Sequence, residues 1–307
     1  MNSNKDFVVL LFYKYTPIEH PEHLAMWHRG FCVAKGFKGR IIIAKEGINC
    51  TLEGRVEDVN QYIETLTKLH ISPDTRGMGC FKDVKFKTSA GTGEAFPKLK
   101  IKVRDEIVSV RLGDEDVNPN VITGKHLSPD ELKKWYEKNE DFVVVDMRNS
   151  YEFKVGHFKN SIDPGLENSR DLPKIVEKIE HLKDKKVLTV CTGGVRCEKM
   201  SGYLVKKGFK DVYQLDGGMH CYMEKFPGED FKGALYTFDN RVVMDFGGDR
   251  EIVGMCDKCG VQTERYINCQ NPVCHKHMLV CESCIEKGGM FCGEECMQKI
   301  EVQPINS

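Results

Sequence analysis

No stretch of the 307-residue sequence approaches the about 18 consecutive apolar residues that a membrane-spanning helix requires, so no membrane span is expected. The opening residues Met1-Asn2-Ser3-Asn4-Lys5-Asp6 have no basic n-region and no small-residue cleavage site. No secretory signal is expected, and a cytoplasmic location is. An excess of one charge is also missing: the net charge is −1, which gives no whole-chain signal for a nucleic-acid partner. Internal repeats and low-complexity tracts are absent. So are two cofactor signatures. Gly91-Thr92-Gly93 lacks the third glycine of a dinucleotide fingerprint and precedes no expected helix. No facial iron triad can be assembled from motif spacing, and His20-Pro21-Glu22 reads as a surface cap at a helix start. What remains is the composition of a globular chain, 40% hydrophobic and 30% charged, long enough for two or three domains.

Cysteine is plentiful, with 14 residues. Without an export signal the expected setting is reducing, where cysteines serve as metal ligands or reactive groups more often than as disulfides. Eight lie between Cys256 and Cys296, and Cys191 and Cys197 bracket a glycine-containing loop.

The first third reads as β-α-β-β-α-β. Strands are expected at Phe7–Tyr15, Arg40–Ala44 and Cys50–Gly54, with Lys45–Asn49 as the intervening turn. Helices are expected at His20–Gly36 and Val56–Leu69. Further strands are expected at Val84–Lys87, Lys98–Val103 and Ile107–Leu112. This order is that of a ferredoxin-like α+β unit with one or two added strands. Asp116–Gly124 is polar and reads as a linker. Beyond it, strands at Phe142–Val145, Lys186–Val190 and Val212–Leu215 alternate with helices at His126–Asn139, Leu172–Leu182 and Cys197–Lys207. Phe142–Val145 is short and all-apolar, which suits a parallel sheet covered on both faces, and the alternation of strand and helix indicates a small α/β domain.

The second of these strands ends at a cysteine, followed by Thr192-Gly193-Gly194-Val195-Arg196 and then by a helix. A thiol there meets loop N–H groups and the positive end of a helix, both of which favour the thiolate. Gly193 and Gly194 let the loop curl around the sulfur, and Arg196 adds a fixed positive charge. Such a cradle suits a persulfide or an oxyanion. A phosphatase loop would need arginine six positions after the cysteine, where Cys197 stands. Two roles fit Cys197: resolving an oxidised Cys191 as a loop disulfide, or simply occupying the helix start.

Taken in order, Val144-Val145-Asp146-Met147-Arg148, Tyr151-Glu152-Phe153, Gly156-His157-Phe158, Cys191–Arg196 and Tyr213-Gln214-Leu215-Asp216-Gly217-Gly218 resemble a rhodanese domain. That likeness implies a persulfide-carrying Cys191. Lys45-Glu46-Gly47-Ile48-Asn49, the CTGGVRCEK segment Cys191–Lys199 and the cysteines from Cys256 to Cys296 extend the likeness over nearly the whole chain. Together they resemble the bacterial tRNA uridine 5-hydroxylase family, oxygen-dependent rhodanese-domain proteins acting on the wobble uridine, position 34. One departure is Cys50, where that family usually has glycine, and an altered local turn is expected there. Another is that the sequence ends soon after Cys296, without a long basic tail. The resemblance implies hydroxylation of uridine 34 at C5, with O2 as co-substrate, tRNA contacted at its anticodon, and an electron donor and oxygen-activating group that the residues do not name. Cys191, Arg196 and Cys197 are the expected reactive residues, with the backbone of Thr192, Gly193, Gly194 and Val195 as the cradle. The runner-up is a sulfurtransferase working through a Cys191 persulfide. A third reading is a non-enzymatic RNA-binding module, against which the intact loop speaks.

Between Arg76 and Arg104 eight basic side chains face only Asp83 and Glu94, beside Phe81, Phe86 and Phe96. Lysines contact phosphates and aromatics stack on splayed bases, although a solvated strand face would look the same. Family resemblance favours RNA contact, with Lys45, Asn49, Lys82, Lys85, Lys98, Lys100 and Lys102 as the contacts.

The closing cysteines fall into four pairs: Cys256 and Cys259, Cys269 and Cys274, Cys281 and Cys284, Cys292 and Cys296. Two such pairs close one tetrahedral site, so eight ligands imply two structural Zn²⁺ ions. Sequential and interleaved pairings are both open, as are free thiols, disulfides or an iron–sulfur cluster in place of zinc. The apolar content there is too low to fold by core burial, so a metal would supply the folding energy. Three units are expected: ferredoxin-like (acylphosphatase-like) residues 1–118, rhodanese residues 119–230, and cysteine-rich residues 231–307.

Overall fold

The computed structural model describes residues 6–69, 77–247 and 250–301, without the side chains of 299–301. Met1–Lys5 and Arg76 lie outside the described residues.

The N-terminal unit runs β1 (Phe7–Tyr15), α1 (Pro21–Ala34), β2 (Lys38–Ala44), β3 (Gly47–Arg55), α2 (Val56–Lys68), β4 (Lys87–Ala90) and β5 (Leu99–Val103). The sheet order is β4-β1-β3-β2-β5. β3 lies antiparallel between β1 and β2, the split βαβ arrangement, and β5 is added parallel to β2. Period-2 alternation decides which face the helices cover. Leu10 and Phe12 of β1, Ile41 and Ile43 of β2, and Cys50 and Leu52 of β3 pack beneath Leu24, Cys32, Val59, Tyr62 and Leu66. The other face of the sheet carries no helix and turns toward the rest of the chain.

Several expectations are corrected here. The turn at Lys45–Asn49 is only two residues wide, because Gly47 already pairs with Ala44 and Tyr15. Cys50 does not alter a turn; it is a fully buried core residue of β3. The fourth strand starts at Lys87, where the Val84–Lys87 segment was expected to be extended. Ile107–Leu112 is buried but is no strand. Two of its backbone N–H groups go to side chains, Ile107 to Glu46 at 2.8 Å and Arg111 to Glu106 at 3.1 Å, and Val110 N–H goes to the Val108 carbonyl at 2.9 Å. Val108, Val110, Leu112 and Val117 pack into the core of the central unit. The polar segment Asp116–Gly124 is likewise no free linker. Thr123 donates to the Glu198 carbonyl at 2.8 Å, and Gly124 N–H to Ser201 at 2.8 Å. A Cβ at Gly202 would lie 2.4 Å from the Ile122 carbonyl, so glycine permits this close approach.

The central unit contains β6 (Lys125–Leu127), α3 (Pro129–Glu137), β7 (Val143–Asp146), α4 (Ser150–Val155), β8 (Gly156–Phe158), β9 (Ser161–Ile162), α5 (Leu172–Lys178), β10 (Lys186–Val190), α6 (Val195–Lys206), β11 (Asp211–Leu215) and α7 (Gly218–Lys225). Its parallel sheet has the order β6-β11-β10-β7-β9. α5 and α6 cover one face, and α3 and α7 the other. His126 and Leu127, expected as helix, belong to β6. The helix starts only after Ser128, whose hydroxyl accepts from Glu131 N–H while the Glu131 carboxylate accepts from Ser128 N–H. Such a capping box is worth about 1 kcal/mol.

The remaining elements are β12 (Phe231–Gly233), paired with β8, the hairpin β13 (Leu235–Tyr236) and β14 (Val243–Met244), the hairpin β15 (Tyr266–Asn268) and β16 (His277–Leu279), and the short helices α8 (Glu282–Glu286) and α9 (Glu294–Glu301).

Candidate active site and cysteine quartets

Cys191 stands at the end of β10, with 0% exposure. Its sulfur accepts the N–H of Gly194 at 3.2 Å. The orientation of that peptide is set from both ends. The Gly193 carbonyl of the same peptide accepts from buried Lys87 Nζ at 3.0 Å, so the trans N–H points the opposite way, at the sulfur. The Cys191 and Thr192 carbonyls accept from the first turn of α7, from Met219 N–H at 2.9 Å and His220 N–H at 3.0 Å. Gly218 makes this contact feasible, since a Cβ there would lie 2.7 Å from Cys191 O and from Gly194 N. Gly194 has φ 102°, a conformation suited to glycine, and a Cβ on it would press on Tyr13.

Burial alone would raise the Cys191 pKa. The Cys197 thiol, the Arg196 charge and the Cys197 and Gly194 N–H groups outweigh it and hold the thiol down at about 6. Cys197, also fully buried, is pushed well up by burial and by donating to Cys191. Cys191 is therefore a thiolate at neutral pH, with Cys197 as its protonated partner. Arg196 is fixed by a bidentate pair with buried Glu152 at 2.6 and 2.9 Å, and it donates to Thr192 at 3.1 Å. Beneath this pair, Arg148 is buried against Asp146 at 2.7 Å.

The helix-free face of the N-terminal sheet lies across from this loop. Between them is a cleft of about 560 Å³ lined by Leu11 and Tyr13 of β1, Arg40 and Ile42 of β2, Asn49 and Thr51 of β3, and by Cys191, Thr192, Gly193, Val195 and Arg196. Among the expected RNA contacts, Asn49, Lys98 and Lys100 line this cleft. Lys102 is exposed on the same strand, outside the lining, and Lys45, Lys82 and Lys85 lie elsewhere on the surface, Lys85 paired with Asp216. Phe81 and Phe86 point into the N-terminal core and cannot stack on a base; Phe96 lines the cleft but is only 8% exposed.

The two short motifs at either end of the likeness meet physically. Lys199, fully buried, places its ammonium 3.0 Å from Glu46, 2.9 Å from Glu106 and 3.1 Å from Asp116. Its neighbour Glu198 accepts from Tyr13 at 3.0 Å and Gln214 at 3.0 Å. The EGIN turn and the CTGGVRCEK loop thus form one interlocked joint.

Sequence reasoning missed Lys87, Tyr13, His220, Phe238 and Arg241, all at or beside the loop. Nothing local marks them, because each comes from an element distant in sequence. His220 is 3% exposed, and burial, with Lys87 and Arg241 nearby, lowers its pKa to about 4, so its ring is neutral. His220, Cys221 and Glu224 cluster within ligand distance, but the same two cations oppose a metal ion there.

The eight C-terminal cysteines form two quartets: Cys256, Cys259, Cys281 and Cys284, and Cys269, Cys274, Cys292 and Cys296. The pairing is interleaved. Sulfurs lie 3.6 Å apart in Cys259 and Cys281, 3.6 Å in Cys274 and Cys292, and 3.2 Å in Cys292 and Cys296. A tetrahedral ion with Zn–S of about 2.3 Å sets sulfurs about 3.8 Å apart, so each quartet fits one such ion. The two halves repeat one another: Cys281 N–H donates to Cys256 sulfur, and Cys292 N–H to Cys269 sulfur, both at 3.4 Å.

A cysteine at a parallel-strand end, held in a glycine loop at a helix start, defines a rhodanese-type domain. Family models agree: a rhodanese-like domain matches residues 128–225, a UPF0176 acylphosphatase-like domain 7–107, and a rhodanase C-terminal unit 232–297. A tRNA uridine(34) hydroxylase of Cytophaga hutchinsonii is 44% identical over 98% of this chain and 93% of its own length. One from Staphylococcus carnosus is 43% identical over 95% and 90%. The chain belongs to the tRNA uridine(34) hydroxylase family.

Proposed function

We propose that this protein hydroxylates uridine 34 of tRNA at C5, giving 5-hydroxyuridine, with Cys191 as the reactive thiolate or persulfide. The observation that carries this reading is the placement of the Cys191 cradle. Cys191, itself fully buried, belongs to the lining of a cleft whose opposite wall is a sheet face bearing Arg40 and Lys100, with Lys98 just before β5. No ion pair to these three cations occurs among the described residues, so they are available to phosphates. Arg196 and the Gly194 N–H hold negative charge on the sulfur, and the Cys197 thiol donates to it.

One oxygen atom of O2 enters the base and the other leaves as water, so two electrons come from a reductant outside the chain. O2 chemistry ordinarily draws on a cofactor. The interleaved quartets hold two structural Zn²⁺ ions, which close the C-terminal unit. The three-unit division at 118 and 230 and a cytoplasmic location, where tRNA is found, belong to the same proposal. No helix among the described residues is long and apolar enough to cross a membrane.

The test is nucleoside analysis of total tRNA from a strain lacking the gene, complemented with wild type or Cys191→Ala. The expected result is 5-hydroxyuridine with wild type and none with Cys191→Ala at equal protein level. Undiminished 5-hydroxyuridine in the variant would overturn the proposal. Loss of a thiolated nucleoside instead would turn the reading to sulfur transfer.

A further inference from the structure

Phe238 sits at the tip of the β13–β14 hairpin, lines the cleft and is 52% exposed. The exposure does not come from a loose loop. Thr237 N–H donates to Val242 O at 2.8 Å, and Asn240 N–H to Ala95 O at 2.8 Å. Arg241 reaches Ser89 at 2.8 Å and the Ala90 carbonyl at 3.0 Å while paired with Asp239 at 2.6 Å. The hairpin is thus strapped to the N-terminal sheet. Tyr236 meets the Phe238 ring edge-on, with centroids 5.2 Å apart. The Arg196 guanidinium carbon lies 5.8 Å from the ring centre and is itself held by Glu152. A fixed aromatic ring is therefore presented to the cleft beside the loop that carries Cys191.

We propose that Phe238 is the platform on which the target pyrimidine stacks. The base, swung out of a single-stranded RNA loop, lies on the ring beside Arg196, and Arg40, Lys98 and Lys100 hold the flanking phosphates. Two features select this occupant over an apolar protein segment. Cations without ion-pair partners among the described residues surround the cleft, Arg170 included. Base-on-aromatic stacking also needs only a flat, rigid face. The proposal deepens the RNA-hydroxylase reading and rests on it.

Binding of a labelled anticodon stem-loop RNA to the full chain tests it, using uridine or an abasic nucleotide at position 34. Phe238→Ala is expected to weaken the uridine RNA roughly 5- to 150-fold. Phe238→Trp is expected to retain affinity, and the abasic RNA to bind wild type and Phe238→Ala alike. A 5-iodouridine at position 34 is expected to photocrosslink to Phe238. Equal weakening of the uridine and abasic RNAs by Phe238→Ala would overturn the stacking role while leaving the RNA substrate intact. Absence of any stem-loop binding by wild type would overturn both. Alkylation of Cys191 by iodoacetamide at unchanged rate in Phe238→Ala is the expected sign that the loop is undisturbed; a changed rate would assign Phe238 to loop support instead.

Discussion

The two cysteine sites use one side chain in opposite ways. At Cys191 a single sulfur is surrounded by groups already in place: a peptide N–H, a neighbouring thiol, and an arginine locked to Glu152. In the quartets the sulfurs crowd one another, and backbone N–H groups reach Cys256 and Cys269. Cys284 and Cys296 are pushed up to about 12, first by hydrogen bonding to neighbouring sulfurs. Four thiolates at 3–4 Å repel unless a cation sits among them. The first site is made by the fold, whereas the second, under the proposed zinc reading, makes its part of the fold once an ion arrives. Negative charge on sulfur is thus stabilised either by many small fixed dipoles or by one large mobile charge.

The contrast breaks most visibly on metal removal. Chelation is expected to unfold the quartet region, since a structural zinc contributes on the order of 10 kcal/mol. Limited proteolysis would then cut between residues 256 and 296, and elemental analysis of the untreated, anaerobically purified protein should find two zinc ions per chain. Iron with visible absorbance would overturn the structural-zinc side of the contrast.

Next in size is Lys199→Met. It leaves Glu46, Glu106 and Asp116 facing one another without their shared cation, at a cost of about 3–5 kcal/mol. Calorimetric unfolding would read this loss; an unchanged transition would show that the joint between EGIN and CTGGVRCEK is dispensable.

A smaller change is expected from Lys87→Met, which frees the Gly193 carbonyl and removes a nearby charge. Wild-type Cys191 should be fully reactive above its pKa of about 6 and lose reactivity tenfold per pH unit below it. In the variant the midpoint should rise by about one pH unit. Alkylation is then slower at pH 6 and equal at pH 8. The smallest effect is expected from Lys98→Ala with Lys100→Ala. Each lost phosphate contact should flatten the salt dependence of RNA binding by about 0.7–0.9 in the log–log slope.

Local signals carried the fold far. Runs rich in β-branched and aromatic residues marked the sheet of the first unit, and strands alternating with helices marked the parallel sheet of the second. Failures arose where burial and hydrogen bonding parted company. Val108, Val110 and Leu112 pack on the central core, yet the segment's N–H groups find partners within the loop and on Glu46 and Glu106 without a neighbouring strand. β6 has three residues, two of them exposed, and offers no periodicity to detect. For the site, the cradle itself is one continuous segment and was legible. Lys87, Tyr13 and Phe238 arrive from elsewhere in the chain, so only the folded arrangement reveals them. Of the basic stretch, Lys98 and Lys100 line the cleft while Lys102, on the same face of β5, does not, and Phe81 and Phe86 belong to the N-terminal core.

The interleaved pairing of the quartets has a consequence for synthesis. With sequential pairing, the first site would be complete once Cys274 had been made, and a chain stopped there would hold one ion. In the interleaved arrangement the first quartet waits for Cys281 and Cys284, and the second for Cys292 and Cys296. A chain interrupted between Cys274 and Cys281 closes neither. The region closes in two late steps, the first at Cys284 and the second at Cys296, and a chain stopped before Cys284 completes neither quartet.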